Sequence, residues 1–145
     1  MNALLIKKKV FEIIWTLGWK LPMTNNQVRG WYGEWQALCF LRRKNFLILK
    51  KNWRSPWDLR REIDLICRDQ ECTVFVEVRS RTNSSLVSGY QSINNNKKKV
   101  LLLACRDYLR SVRHEDSCYR FDVVEIDTGL YKDKLFHHEN VSLFP

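Results

Sequence analysis

Apolar and polar positions alternate most sharply between Glu62 and Arg79, EIDLICRDQECTVFVEVR. Ile63–Arg68 and Cys72–Arg79 carry Ile, Leu, Val and Phe, with Asp69-Gln70-Glu71 between them. That pattern predicts two short strands joined by a tight polar turn. A two-residue loop at Gln70-Glu71 sets Asp69 against Cys72, Cys67 against Val74, Leu65 against Val76 and Ile63 against Val78. Side chains alternate along a strand, so the apolar partners from Ile63 to Val78 share one face. The same register sets Asp64 against Glu77 on the other face, together with Arg79, Ile66 and Phe75. A slip of one residue would turn every one of these side chains over.

Elsewhere the period is nearer 3.6. In 30–44, GWYGEWQALCFLRRK, the residues Glu34, Ala37, Leu38 and Leu41 line one helical face. A second helix is predicted over Ile93–Val112, with Ile93, Lys97, Val100, Leu101, Ala104, Tyr108 and Val112 along its stripe. Asn45–Lys51 and Tyr119–Asp127 read as strands, and 137–145 as a short terminal strand or tail. Residues 52–61, NWRSPWDLRR, form a basic loop with two Trp. Ser80–Gln91 is a polar loop leaving the hairpin from its charged face, where a substrate-contacting loop would sit. Residues 1–20 read as an amphipathic helical extension, and Leu21–Arg29, with Pro22 and Asn25-Asn26, as a linker. The division is therefore an extension and linker over 1–29 and one domain over 30–145.

Composition narrows the class. The chain has 145 residues, 45% of them hydrophobic and 12% aromatic, with few Gly and Pro, which suits a folded domain with a core of its own. A formal charge of +9 favours a polyanionic partner, nucleic acid before an anionic membrane surface. The five cysteines are odd in number and show no CxxC spacing. They point to a reducing compartment, the cytoplasm, and away from a disulfide framework or a zinc site. No apolar run approaches the roughly 18–20 residues of a membrane span. Contact of residues 1–20 with a membrane surface is the less favoured reading of their lysines and aromatics. His137-His138 is a weak metal signal, since neighbours in a strand point to opposite sides.

Like charges opposed on a sheet destabilise it, so one carboxylate of the Asp64–Glu77 pair takes up a proton unless a cation lies between them. A hard divalent ion answers that description, because Mg²⁺ uses one or two carboxylates and keeps waters for phosphate substrates. The alternative is a solvated face on which Arg79 neutralises Glu77. Glu34 lies on a stripe expected to face the core, where an unpaired charge is costly. It reaches a rim, meets a base, or helps hold a metal.

The segments Gly33-Glu34 with Ala37, Asn52-x-Arg54, EIDLI at 62–66, VFVEV at 74–78 with Arg81, Lys97 with Ala104, Tyr108-Leu109, and RFDVV at 120–124 occur in a familiar order. Over about residues 30–128 the chain resembles the YraN-like family of uncharacterised bacterial proteins. That family is similar to the restriction-endonuclease-like nucleases of the PD-(D/E)xK class, and to Holliday-junction resolvases in particular. The resemblance implies an α/β fold, a restriction-endonuclease-like mixed sheet flanked by helices. It makes Asp64 and Glu77 the acidic pair of the nuclease motif, puts Arg79 at the lysine position, and matches Glu34 to the acidic residue of the preceding helix. Two positions depart from the family pattern. Arg61 stands where Gly is usual before the strand, and Arg79 stands where Lys is usual. Arginine keeps the charge but does not deprotonate, and its planar fork does not replace a compact ammonium.

The resulting expectation is a metal-dependent endonuclease on DNA, branched DNA included. Asp64, Glu77 and Glu34 would hold Mg²⁺ or Mn²⁺, with Arg79 completing the catalytic set. Arg54, Arg60, Arg61, Arg81, Lys97, Lys98 and Lys99 would contact nucleic acid, DNA rather than RNA, and the junction resolvases suggest a homodimer. The alternative is a catalytically impaired nucleic-acid-binding protein on the same fold.

Overall fold

The computed structural model describes residues 3–20, 25–82, 93–112, 118–129 and 132–143. Its elements run α1 (Ala3–Thr16), α2 (Asn26–Arg43), β1 (Leu47–Arg54), β2 (Glu62–Asp69), β3 (Cys72–Arg81), α3 (Asn95–Ser111), β4 (Tyr119–Asp127) and β5 (Lys134–His138). The strands form one mixed sheet in sequence order, with β3 and β4 parallel and every other pair antiparallel. The parallel step needs a crossover, which α3 supplies. A mixed sheet flanked by helices is consistent with the restriction-endonuclease-like expectation.

The hairpin folds in the predicted register from Asp69–Cys72 to Leu65–Val76, while the expected pairs Asp64–Glu77 and Ile63–Val78 lie past the end of the ladder. Asp69 pairs with Cys72, Cys67 with Val74 and Leu65 with Val76. Gln70 takes a left-handed φ of 51°, as a two-residue hairpin loop requires. Two apolar clusters then use the two faces of the sheet. Ala37, Leu38 and Leu41 of α2 pack on Leu65, Cys67, Val74, Val76, Val124 and Ile126. Leu101, Ala104, Cys105 and Tyr108 of α3 pack on Ile66, Phe75, Phe121 and Val123.

One apolar position departs from the expected face. Ile63 packs with Ile66 and Phe75 instead of Leu65 and Val76. The β2–β3 ladder ends at Leu65–Val76, and past it the Asp64 carboxylate, rather than a backbone carbonyl, accepts the Val78 N–H at 2.7 Å. Strict alternation fails where the ladder opens.

Several boundaries also shift. The helix expected to begin at Gly30 begins at Asn26, because Asn25 caps it by accepting the Val28 N–H at 2.9 Å. Part of the expected linker is therefore helix. β1 runs on to Arg54 and shortens the basic loop, β3 continues to Arg81, and β5 begins at Lys134, ahead of the expected 137. Val112 lies just beyond α3 and is 39% exposed, so it does not belong to the buried stripe.

α1 is packed and not merely appended. Phe11 and Trp15 meet Val28, Trp31, Tyr32 and Trp35 of α2, with Trp15 and Tyr32 edge to face at 5.1 Å. The cysteine reading also needs correcting. Cys72 and Cys118 form a disulfide with Cα atoms 4.7 Å apart. Thr73 pairs with Tyr119 in the parallel ladder, so the residues immediately before them are neighbours across the strands. Cys39, Cys67 and Cys105 are free. Among the described residues no helix is long and apolar enough to cross a membrane.

Candidate metal centre

The open end of the β2–β3 ladder gathers the charged residues of the hairpin. Glu77 is 4% exposed, and its Oε1 has two cationic neighbours, Lys97 Nζ at 3.2 Å and Arg79 at 3.5 Å. Lys97 reaches it from the first turn of α3, where Asn94 caps the helix and accepts the Lys97 N–H at 2.8 Å. The stripe lysine of the sequence is thus a partner of the second acidic residue. Glu77 Oε2 is buried and has no hydrogen-bond partner among the described residues. An orphaned anionic oxygen of this kind is costly unless a cation or water meets it.

Asp64 is partly open to solvent. Burial of its carboxyl is the main cause that pushes its pKa well above the carboxylate range, and the charge of Glu77 adds to it. The Val78 N–H pulls the other way, Glu34 pushes upward again, and Lys97 pulls down. Asp122 of β4 shows the opposite outcome. It too is desolvated, yet hydrogen bonds from His137, the Asn140 N–H and Arg120 hold its carboxyl below the ordinary value. Asp122 is a satisfied structural anion, whereas Asp64 is held next to another carboxylate.

This difference has a consequence for stability. An Asp whose pKa is raised by folding must keep its proton while the unfolded chain releases one, so its cost appears above about pH 4 and grows as pH rises toward its folded value. Asp64→Asn removes that cost. The variant is expected to gain about 1–2 kcal/mol in metal-free buffer near pH 8 and almost nothing near pH 4. Chemical denaturation at the two pH values checks this, and a variant destabilised at pH 8 would contradict it.

Glu34 is brought to the edge of the site by close packing. A Cβ on Gly33 would stand 2.8 Å from the Cβ of Ser80, so glycine lets α2 lie directly against β3. Glu34 Oε2 is taken by Lys8 of α1 at 2.5 Å and by the Asn52 amide at 3.0 Å, and Lys8 also donates to Asn52 Oδ1 at 2.9 Å. Asn52 has a φ of 47°, a conformation that Asn tolerates better than most residues. Glu34 thus meets a base, one of the alternatives its position left open. Among the described residues no three His, Cys, Asp or Glu side chains form a ready metal-binding group.

The expected nucleic-acid contacts divide. Arg61 bonds Asp107 at 3.0 Å and lies 3.5 Å from Asp58, while Asp107 also accepts from Ser55, which makes Arg61 an internal tether. Arg54 pairs with Glu62 at 2.9 Å, and Arg81 approaches Glu125 at 3.9 Å. Arg60 pairs with Asp58, but its side chain is 89% exposed. Lys98 is half-buried and Lys99 exposed on the first turns of α3. Residues 83–91 of the expected polar loop Ser80–Gln91 lie outside the described residues. His137 faces Asp122 and His138 faces Glu125, so the two rings point apart as the strand period requires.

The Lys8–Glu34–Asn52 link was not legible in the sequence, since Lys8 is only one of three consecutive lysines on a helix. Asn52 left a signal of its own, standing among the motif positions without an evident role.

The two carboxylates offer hard oxygens with one buried oxygen unpartnered, a donor set suited to Mg²⁺ or Mn²⁺. The model of an uncharacterised protein family, UPF0102, matches residues 33–126. A UPF0102 protein of Psychromonas ingrahamii is 35% identical over 111 residues, 75% of this chain and 88% of that protein. One of Nitrosospira multiformis is 40% identical over 98 residues, 68% of this chain and 79% of the relative. One of Geobacter metallireducens is 33% identical over 116 residues, covering 80% and 93%. The matched span holds both strands of the acidic hairpin, Glu34 and Lys97, and the chain belongs to the UPF0102 family.

Proposed function

We propose that the chain is a metal-dependent endonuclease acting on DNA. The carrying observation is the pair at the open end of the hairpin, where Asp64 and Glu77 repel each other and Glu77 Oε2 lies buried without a partner. Asp64 and Glu77 would hold Mg²⁺ or Mn²⁺, and the ion would polarise a phosphate and make a bound water more acidic. Asp64 has to give up its proton for that binding, so affinity rises with pH. Lys97 and Arg79 sit on the other oxygen of Glu77, Oε1, and would balance charge developing on the phosphate. Glu34, held by Lys8 and Asn52, acts on Asp64 through its charge. Arg60 and Lys99 are exposed and suited to backbone phosphates, which fixes position without reading sequence.

A second reading is a nucleic-acid-binding protein that does not cut. It is favoured by the two cations on Glu77, which already offset part of the charge a metal would neutralise, and by arginine at the motif's lysine position. One panel separates the two. Labelled duplex, four-way junction, flap, single strand and RNA are incubated with Mg²⁺ or Mn²⁺, and binding is measured in parallel over a range of salt. A nuclease cuts at least one DNA and loses affinity steeply as salt rises. Salt-sensitive binding without products selects the second reading, and no binding at low salt removes both.

A further inference from the structure

α1 has two faces of different character. The inner face carries Phe11 and Trp15 into the aromatic cluster on α2 and sends Lys8 to Glu34. The outer face carries Ile6, Val10 and Ile13, and Leu17, one residue past the helix with its N–H on the Ile13 carbonyl, continues the spacing as i, i+4, i+7 and i+11. These four are 44%, 49%, 60% and 72% exposed. At 100° per residue they form one line along the helix, roughly 16 Å long. Trp19, just past the helix, is 73% exposed. Scattered exposed aliphatics need no explanation, but an ordered line on a helix whose other side is already packed does.

The charges beside this line point to its occupant. Lys7 and Lys9 flank it on opposite edges and both are exposed, whereas Lys20, beside Trp19, is held by Asp133 at 2.7 Å. The one acidic side chain of α1, Glu12, lies within 4.0 Å of Lys51. A second copy docked on the same face would bring like-charged lysine edges together in a chain that already carries +9. An anionic lipid surface instead offers phosphates to the lysines and an acyl boundary to the aliphatic line, while tryptophan suits the interface between them.

We propose that α1 is an in-plane membrane anchor, seating Ile6, Val10, Ile13, Leu17 and Trp19 in the headgroup boundary of an anionic bilayer, with Lys7 and Lys9 on the lipid phosphates. The inner face of α1 stays on α2, so docking leaves the Lys8–Glu34–Asn52 link in place. The inference is independent of the nuclease reading and survives its failure.

The test is co-sedimentation of the full chain with vesicles, neutral phosphatidylcholine against phosphatidylcholine mixed with phosphatidylglycerol. The native chain is expected on the anionic vesicles, less at high salt and little on the neutral ones. Ile13→Asp with Leu17→Asp should lower partitioning at least about tenfold, since both side chains would otherwise leave water. The milder pair Ile13→Ser with Leu17→Ser should shift it in the same direction, and near-UV circular dichroism reports that each variant remains folded. Lys7→Glu with Lys9→Glu should weaken binding to the anionic vesicles. No binding by the native chain, equal binding by the aspartate variant, or equal binding to neutral vesicles would overturn the proposal. So would a dimer in sedimentation velocity without lipid that the aspartate pair dissolves, which would assign the face to a second copy.

Discussion

Arg79→Lys is expected to raise metal-dependent cleavage, by about ten- to a hundredfold where the native chain cuts and from background where it does not. The acidic pair is intact, so the departure from the nuclease motif rests on one cation. Arg79 approaches Glu77 Oε1 at 3.5 Å, and its Nε is buried without a hydrogen-bond partner among the described residues. The guanidinium thus meets Glu77 only at the long end of the ion-pair range. A lysine there presents a compact charge with three rotatable donors and a pKa that its surroundings can tune. Charge is conserved, so affinity for DNA should change little while the cleavage rate changes. Lys97 allows a second informative outcome. If the native chain cuts and Arg79→Lys changes nothing, the lysine already on Glu77 from α3 serves in place of the motif's own.

The other large effect is at Glu77. Glu77→Gln removes the charge that Lys97 and Arg79 both face and neutralises the orphaned oxygen. Cleavage should fall to background and affinity for Mn²⁺ by about a hundredfold, because a neutral amide oxygen is a poor substitute for a carboxylate on a hard cation. Asp64→Asn should lose the same activity while making the metal-free protein more stable at high pH. Loss of function with gain of stability is the signature of carboxylates kept for a ligand, not for the fold.

How far the sequence could reach depends on how local each determinant is. The hairpin register was legible because period-two alternation and a two-residue loop leave few alternatives, and Leu65, Cys67, Val74 and Val76 pair accordingly. Ile63 was misplaced because the ladder opens at Asp64, the position with the candidate chemistry, and nothing in a run of alternating residues announces an open end. The start of α2 was missed because Asn25 reads equally as a turn residue and as a cap. The partner of Glu34 lies 26 positions earlier, on a helix outside the resemblance, and no local pattern connects Lys8 to it. The Cys72–Cys118 bond depends on a parallel pairing across α3, which spacing alone does not specify. Arg61 looked like a phosphate contact by composition and is a tether, because Asp107 meets it from α3.

The central claim is that Asp64 and Glu77 form one divalent-cation site whose occupation costs a proton. Calorimetric titration of Mn²⁺ into the full chain at pH 6 and pH 8, in two buffers of different ionisation enthalpy, measures affinity, stoichiometry and proton release together. The account predicts one ion per chain, tighter at pH 8, with protons released on binding and the signal lost in Glu77→Gln. Binding that is absent at millimolar Mn²⁺, indifferent to pH, or unchanged in Glu77→Gln would contradict it.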